Sequence, residues 1–187
     1  MTLKEAKENV LSLIEELNPK HELLTDDPDI AEKIHTVINQ VQFELARIKK
    51  IPTYSTEEVT ADEVFELNNL VDFYQLNVLK FKNKEGEEAE YTLVDNMAIF
   101  SEDGQATFFY YKYPERIKKD TKVSYEFELS EDVLELLPYG VAADLLKSDV
   151  STNYGKIYAE RYETMLQRLD PRYSLDDSVF IEGGVDF

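Results

Sequence analysis

An α+β fold is predicted: a helical body of two N-terminal and two to three C-terminal helices, carrying an inserted small antiparallel β-module. Three observations predict it. Apolar residues recur at three- and four-residue spacing through the first fifty residues. From about residue 53 the spacing changes to alternation, and beyond residue 130 it returns to helical spacing. The expected layout is residues 1–52 and 130–170 as one helical body, 53–129 as the β-module, and 171–187 as an extended C-terminal arm. The helices at the two ends are assigned to one body because each needs the other to bury its apolar stripe.

The first helix opens on Thr2-Leu3-Lys4-Glu5, a capping-box pattern. Leu3, Ala6, Val10, Leu13, Ile14 and Leu17 then fall on one face, and the stripe stops before Pro19. The second helix starts at Asp27-Pro28, an acceptor side chain followed by a first-turn proline. Its stripe is Ile30, Ile34, Val37, Ile38, Val41, Leu45 and Ile48, ending before Pro52.

About five short strands are expected in the module. Tyr74, Leu76 and Val78 alternate with Gln75, Asn77 and Leu79, and Phe81 closes the run. Asn83 to Glu88 is turn-like around Gly86. Further strands are read at 91–94, 97–100, 107–113 and 123–129 (VSYEFEL), with Asp103-Gly104 as a hairpin turn between the strands at 97–100 and 107–113. In the run Phe108-Phe109-Tyr110-Tyr111-Lys112-Tyr113, alternation points Phe108 and Tyr110 one way and Phe109, Tyr111 and Tyr113 the other.

Pro138 fits a first helical turn, so Tyr139 to Lys147 is expected as a helix. A polar link follows, with Ser151 or Thr152 as N-cap candidates. In the last helix Tyr154, Ile157, Tyr158, Met165, Leu166 and Leu169 share a face. Asp170-Pro171 stops it, Ser178-Val179-Phe180-Ile181 is β-prone, and Gly183-Gly184 loosens the chain beyond.

Composition narrows the function classes. The chain has 187 residues and an ordinary 43% hydrophobic content, enough for a substantial core. No apolar run is long enough to span a bilayer, and MTLKEAKENV has no apolar stretch of signal-peptide type, so cytoplasmic synthesis is expected. With no cysteine there is neither a disulfide nor a thiolate ligand or nucleophile. A net charge of −19, spread along the chain rather than gathered in a tail, opposes direct wrapping of nucleic acid. The two histidines, His21 in a polar link and His35 beside an apolar stripe, belong to no catalytic or metal motif. Asp26-Asp27-Pro28-Asp29 lacks the glycine and the bidentate glutamate of a calcium loop, and helix capping explains it better. No catalytic, metal or cofactor residue is assigned.

Several segments resemble one family. The run Leu136 to Asp170 (LLPYGVAADLLKSDVSTNYGKIYAERYETMLQRLD) has its paired-helix pattern. Leu70-Val71-Asp72-Phe73-Tyr74-Gln75-Leu76 is similar to its entry into the β-module, with Leu-Val in place of the usual Leu-Pro. Tyr110-Tyr111-Lys112-Tyr113-Pro114 and Ile181-Glu182-Gly183-Gly184 extend the likeness over most of residues 70–184. These segments resemble the head–tail connector (neck or adaptor) proteins of tailed bacteriophages and prophages of Firmicutes. The resemblance implies a structural virion protein with no enzyme activity and no cofactor. It implies a ring of subunits, twelve-fold by analogy with portals, between the portal and the tail or neck proteins. DNA would pass through the lumen without specific binding.

The candidate protein–protein contacts are Tyr110, Tyr111, Tyr113, Tyr139, Tyr158 and Tyr162, because tyrosine buries area while its hydroxyl stays hydrogen-bonded, and Val179, Phe180 and Ile181, because the C-terminal arm, if not a disordered end, would add a strand to a neighbouring subunit or partner. Two rival classes remain. An acidic DNA mimic would array carboxylates at phosphate-like spacing. A carboxylate-dependent glycan hydrolase or binding module would need a cleft holding one carboxyl of raised pKa.

Overall fold

The computed structural model describes residues 1–20, 24–147 and 153–169. The chain divides into two compact units, residues 1–49 with the described residues from 117 onward, and residues 50–116.

In the first unit, α1 (Leu3–Leu13) begins at the capping box: the Glu5 N–H donates to Thr2 Oγ1 at 3.2 Å and the Thr2 N–H to Glu5 Oε2 at 2.7 Å. The Thr2 N–H holds the Glu5 carboxyl below its ordinary pKa. Two further orphan donors at this end, the N–H groups of Leu3 and Lys4, reach the carbonyls of Tyr125 and Val123 at 2.8 and 3.0 Å. Residues 123–129 are therefore not the strand their alternation predicts. They lie beside the start of α1 as a turn at 123–124, one isolated bridge from Glu126 to Thr2, and a bend at 128–129. The alternation holds over 126–129, where Phe127 and Leu129 are buried and Glu126 and Glu128 exposed, but not at Val123, which is 55% exposed.

Helix α1 also ends earlier than its stripe suggests. Glu15 takes a positive φ of 61°, its N–H donates to Ser12 O, and the Glu16 N–H donates to Leu11 O at 2.9 Å. This is a Schellman stop with glutamate where glycine is usual, and it leaves Leu17 outside the helix.

Helix α2 (Pro28–Ile48) starts as its sequence dictates, with Asp27 Oδ1 accepting from the N–H groups of Asp29 and Ile30 at 2.8 and 3.2 Å. Its buried face is Ile34, Ile38, Val41, Gln42, Leu45 and Ala46. On its flank, Asn39 pairs with the backbone of Ile117 in both directions, Nδ2 to O at 2.7 Å and N to Oδ1 at 2.8 Å, which anchors the chain where it re-enters this unit.

His35 on α2 lies 2.8 Å from the Lys7 ammonium of α1. Burial, with the charges of Lys7 and Lys119 added, pushes its pKa down to about 4. The unfolded chain takes up this proton near pH 6.5 and the folded chain only near 4, so the unfolded state holds more protons between those values and stability falls as pH drops through them. Because the ring is partly solvated, the expected loss is about 1–2 kcal/mol. Urea midpoints at pH 7 and pH 4.5 should separate more in the wild type than in His35→Gln. Equal separations would refute this assignment.

The C-terminal half adds α3 (Glu131–Leu134), α4 (Leu137–Leu145) and α5 (Tyr154–Arg168). Pro138 lies in the first turn of α4. Helix α4 packs against α1, α2 and α5, and Gly140 permits this closeness: a Cβ there would lie 2.9 Å from both the Tyr162 ring and the Val41 side chain. The N-cap candidates Ser151 and Thr152 lie outside the described residues, and Asn153 takes the cap position of α5 without a side-chain bond. The predicted α5 stripe is only partly covered. Tyr158, Met165, Leu166 and Leu169 are half-buried, Tyr154 and Ile157 are about half exposed, and the buried residue of the helix is Tyr162, which the stripe left out.

The second unit corrects the predicted fold class. Helix and strand contribute comparable shares, 39% and 27%, so the molecule is not a helical body with one small inserted module. Its strands are β1 (Ile51–Val59), β2 (Val64–Glu66), β3 (Phe73–Asn83), β4 (Tyr91–Val94), β5 (Met97–Phe100) and β6 (Gly104–Lys112). They form two antiparallel sheets of three strands each, ordered β1-β6-β3 and β2-β5-β4. Two strands were not legible as such: β1 carries a proline and two glutamates and buries only Ile51 and Val59 fully, and β2 has three residues.

Asp103-Gly104 is not a hairpin turn either, because β5 and β6 belong to different sheets and the chain crosses between them there. The tight hairpin joins β4 to β5 through Asp95-Asn96, with Val94 paired to Met97 and Asp95 at a φ of 51°. The sheets share one core of Val59, Leu67, Leu70, Leu79, Phe81, Ala98, Phe100, Ala106, Phe108 and Tyr110.

Candidate protein interaction surface

Strand β6 decides which aromatics are spent on folding. Phe108 and Tyr110 face the core, and Tyr110 donates its hydroxyl to Val71 O at 3.1 Å. Burial raises its pKa. Phe109 and Tyr111 take the opposite face, as alternation requires.

That outer face can be read in rows from the strand register. Tyr54, Phe109 and Val78 form one row across β1, β6 and β3, with exposures of 70, 36 and 44%. The Tyr54 and Phe109 rings are 6.0 Å apart. Toward one end lie Pro52 and Tyr111, with the Lys50 ammonium 4.7 Å from the Tyr111 ring centre. Toward the other end, Thr56 and Thr107 share a hydroxyl–hydroxyl bond of 3.2 Å in the row of Lys80, and Glu58 accepts from Gln105 at 3.3 Å in the row of Lys82. A bulge between Leu76 and Val78 turns Val78 outward while Leu76 packs on the core. The surface is thus an apolar centre with lysines at both ends, the composition of an interface core and rim.

The tyrosines nominated from sequence are scattered. Tyr110 is buried in the second unit, where Tyr111 carries the lysine and Tyr113 lies half-buried with its ring 4.7 Å from that of Tyr74. In the first unit Tyr139 is covered by the Arg161 guanidinium at 4.4 Å, and Tyr158 donates its hydroxyl to Leu13 O at 2.7 Å. Tyr162 is buried and donates to Glu44 Oε2 at 3.2 Å, and its phenol is pushed up mainly by burial. Tyr110 and Tyr162 therefore offer almost no area to a partner. Val179, Phe180 and Ile181 lie outside the described residues. Tyr54, Val78 and Phe109 were missed. For Tyr54 the available signal was a β-prone Thr-Tyr-Ser-Thr run diluted by proline and acid.

Among the described residues, the carboxyls whose pKa is shifted all move in one direction. The carboxyls of Glu5, Asp103 and Asp132 are all held below their ordinary pKa by hydrogen bonds, from the Thr2 N–H, the Ala61 N–H and the Lys49 ammonium respectively. A general acid needs the opposite shift. Asp27 is spent on capping α2, and Asp26 accepts from Asn18 at 2.7 Å. Among the described residues no helix is long and apolar enough to cross a membrane. Compared with known proteins, the chain matches no family model and no curated protein.

Proposed function

We propose that this chain is a non-enzymatic structural protein of a phage virion, a head–tail connector or neck adaptor that assembles as a ring between portal and tail. The observation that carries the reading is the exposed Tyr54–Phe109–Val78 row, a contiguous apolar surface on a regular sheet, supported by the motif likeness over residues 70–184. Assembly needs a rigid face of this kind, and the sheet beneath it is fixed by the aromatic core. The net charge of −19 fits a conduit for DNA, because like charge removes favourable phosphate contacts.

The test is the solution mass by light scattering over a concentration range, with and without portal protein. A ring, or a monomer that assembles on the portal, is expected. A monomer indifferent to the portal overturns the reading and sends the chain to competition assays against DNA. Tyr54→Ser with Phe109→Ser should abolish assembly and leave each unit folded, since both rings lie on the outer face and each substitution should cost less than about 1 kcal/mol.

A further inference from the structure

We infer that the outer face of the β1-β6-β3 sheet receives the acidic segment 176–182 (DDSVFIE) of a second copy of this chain. The inference rests on reading that face as an assembly surface. It adds the occupant.

The argument is one of charge order and length. In a chain of net charge −19, this face presents Lys50, Lys80 and Lys82, and in its rows from Pro52 to Glu58 the opposing acid is Glu58, already engaged by Gln105. Its plan is lysine, apolar centre, lysine pair. The segment has the complementary plan: the acid pair Asp176-Asp177, the apolar Val179-Phe180-Ile181, then the acid Glu182.

The lengths agree as well. Alternate residues on a strand are roughly 6.6 Å apart, so the row of Lys80 lies roughly 13 Å from the row of Pro52 and roughly 20 Å from the level of Lys50. Six steps from Asp176 to Glu182 span roughly 20 Å in an extended segment, and alternation then puts both acids on the same side as Phe180. Seven steps separate Leu169, at the end of α5, from Asp176, a reach of at most roughly 24 Å. Burial of Phe180 and its neighbours against Tyr54, Phe109 and Val78 supplies the contact, and the flanking charges fix its direction.

The experiment uses full-length chains without portal protein and exchanges the charges. One variant carries Lys80→Glu with Lys82→Glu, the other Asp176→Lys with Asp177→Lys. Each alone should need at least tenfold more protein than the wild type to assemble, and an equimolar mixture should recover wild-type assembly, because each face then meets an opposite segment from the other chain. Unaltered assembly of either variant overturns the inference, as does failure of the mixture to recover. A wild type that stays monomeric without portal protein also overturns it, and leaves docking on the portal untouched. Circular dichroism of each variant shows that it is folded before mixing.

Discussion

Replacing Phe108 with alanine is expected to destabilise the 50–116 unit by about 3–5 kcal/mol, a large part of the stability of a domain this size. Phe108 is fully buried in the middle of β6, the central strand of its sheet. Its ring stacks on Phe65 at 4.7 Å and meets the edge of Phe100 at 6.4 Å, so it joins side chains of both sheets. Truncation leaves a cavity that the two neighbouring aromatic rings cannot close without moving strands. Its neighbour Phe109 is the control. That ring lies on the outer face, and Phe109→Ala should cost less than about 1 kcal/mol. Urea unfolding followed by tyrosine fluorescence would measure both. Similar losses at 108 and 109 would mean that the strand faces are wrongly assigned.

Gly104→Ala is the second large effect, about 1–3 kcal/mol or more. Gly104 opens β6 opposite both Val59 and Asn83. A methyl group there would overlap the Lys82 carbonyl oxygen and lie 2.9 Å from Asn83 Cα and from the Phe81 ring. Two of these neighbours are backbone and cannot rotate aside, so β3 and β6 must separate at this end. Amide exchange should accelerate at Gln105 and Lys82, which pair next to the site, and change little at Tyr110 and Leu76. Unchanged exchange at Gln105 and Lys82 would show that the strand end absorbs the methyl group, contrary to this account.

What could be read from the sequence was local. The Thr2–Glu5 box and the Asp27-Pro28 cap depend on three or four consecutive residues, and both form as written. The alternation in 108–111 also survives folding, because the period of a strand is set by its own backbone. What failed depended on distant partners. Residues 123–129 alternate as a strand does, yet their hydrogen bonds serve the start of α1. Asp103-Gly104 has hairpin chemistry, yet the strands on either side join different sheets. Strand β1 pairs with a strand about fifty residues away, and its own acid-rich sequence hides it. The candidate surface was legible only in part for the same reason. Phe109 could be assigned to a face, but which face met solvent depended on β1 and β3 arriving on either side of it. The tyrosine list consequently mixed rings bound inside the fold with rings near its surface.

The order β1-β6-β3 has a consequence for biosynthesis. The strand in the middle is the last of the six to leave the ribosome. Until residue 112 has emerged, β1 and β3 have no template between them, and the future outer face is a nascent segment with Tyr54 and Val78 unpaired. The glutamates and lysines along β1 and β3 keep such a segment soluble while it waits. Completion of this unit is therefore timed by translation of a single strand. A pause taken while residues 104–112 are still inside the ribosome would prolong the aggregation-prone interval, and one taken after they have emerged would not.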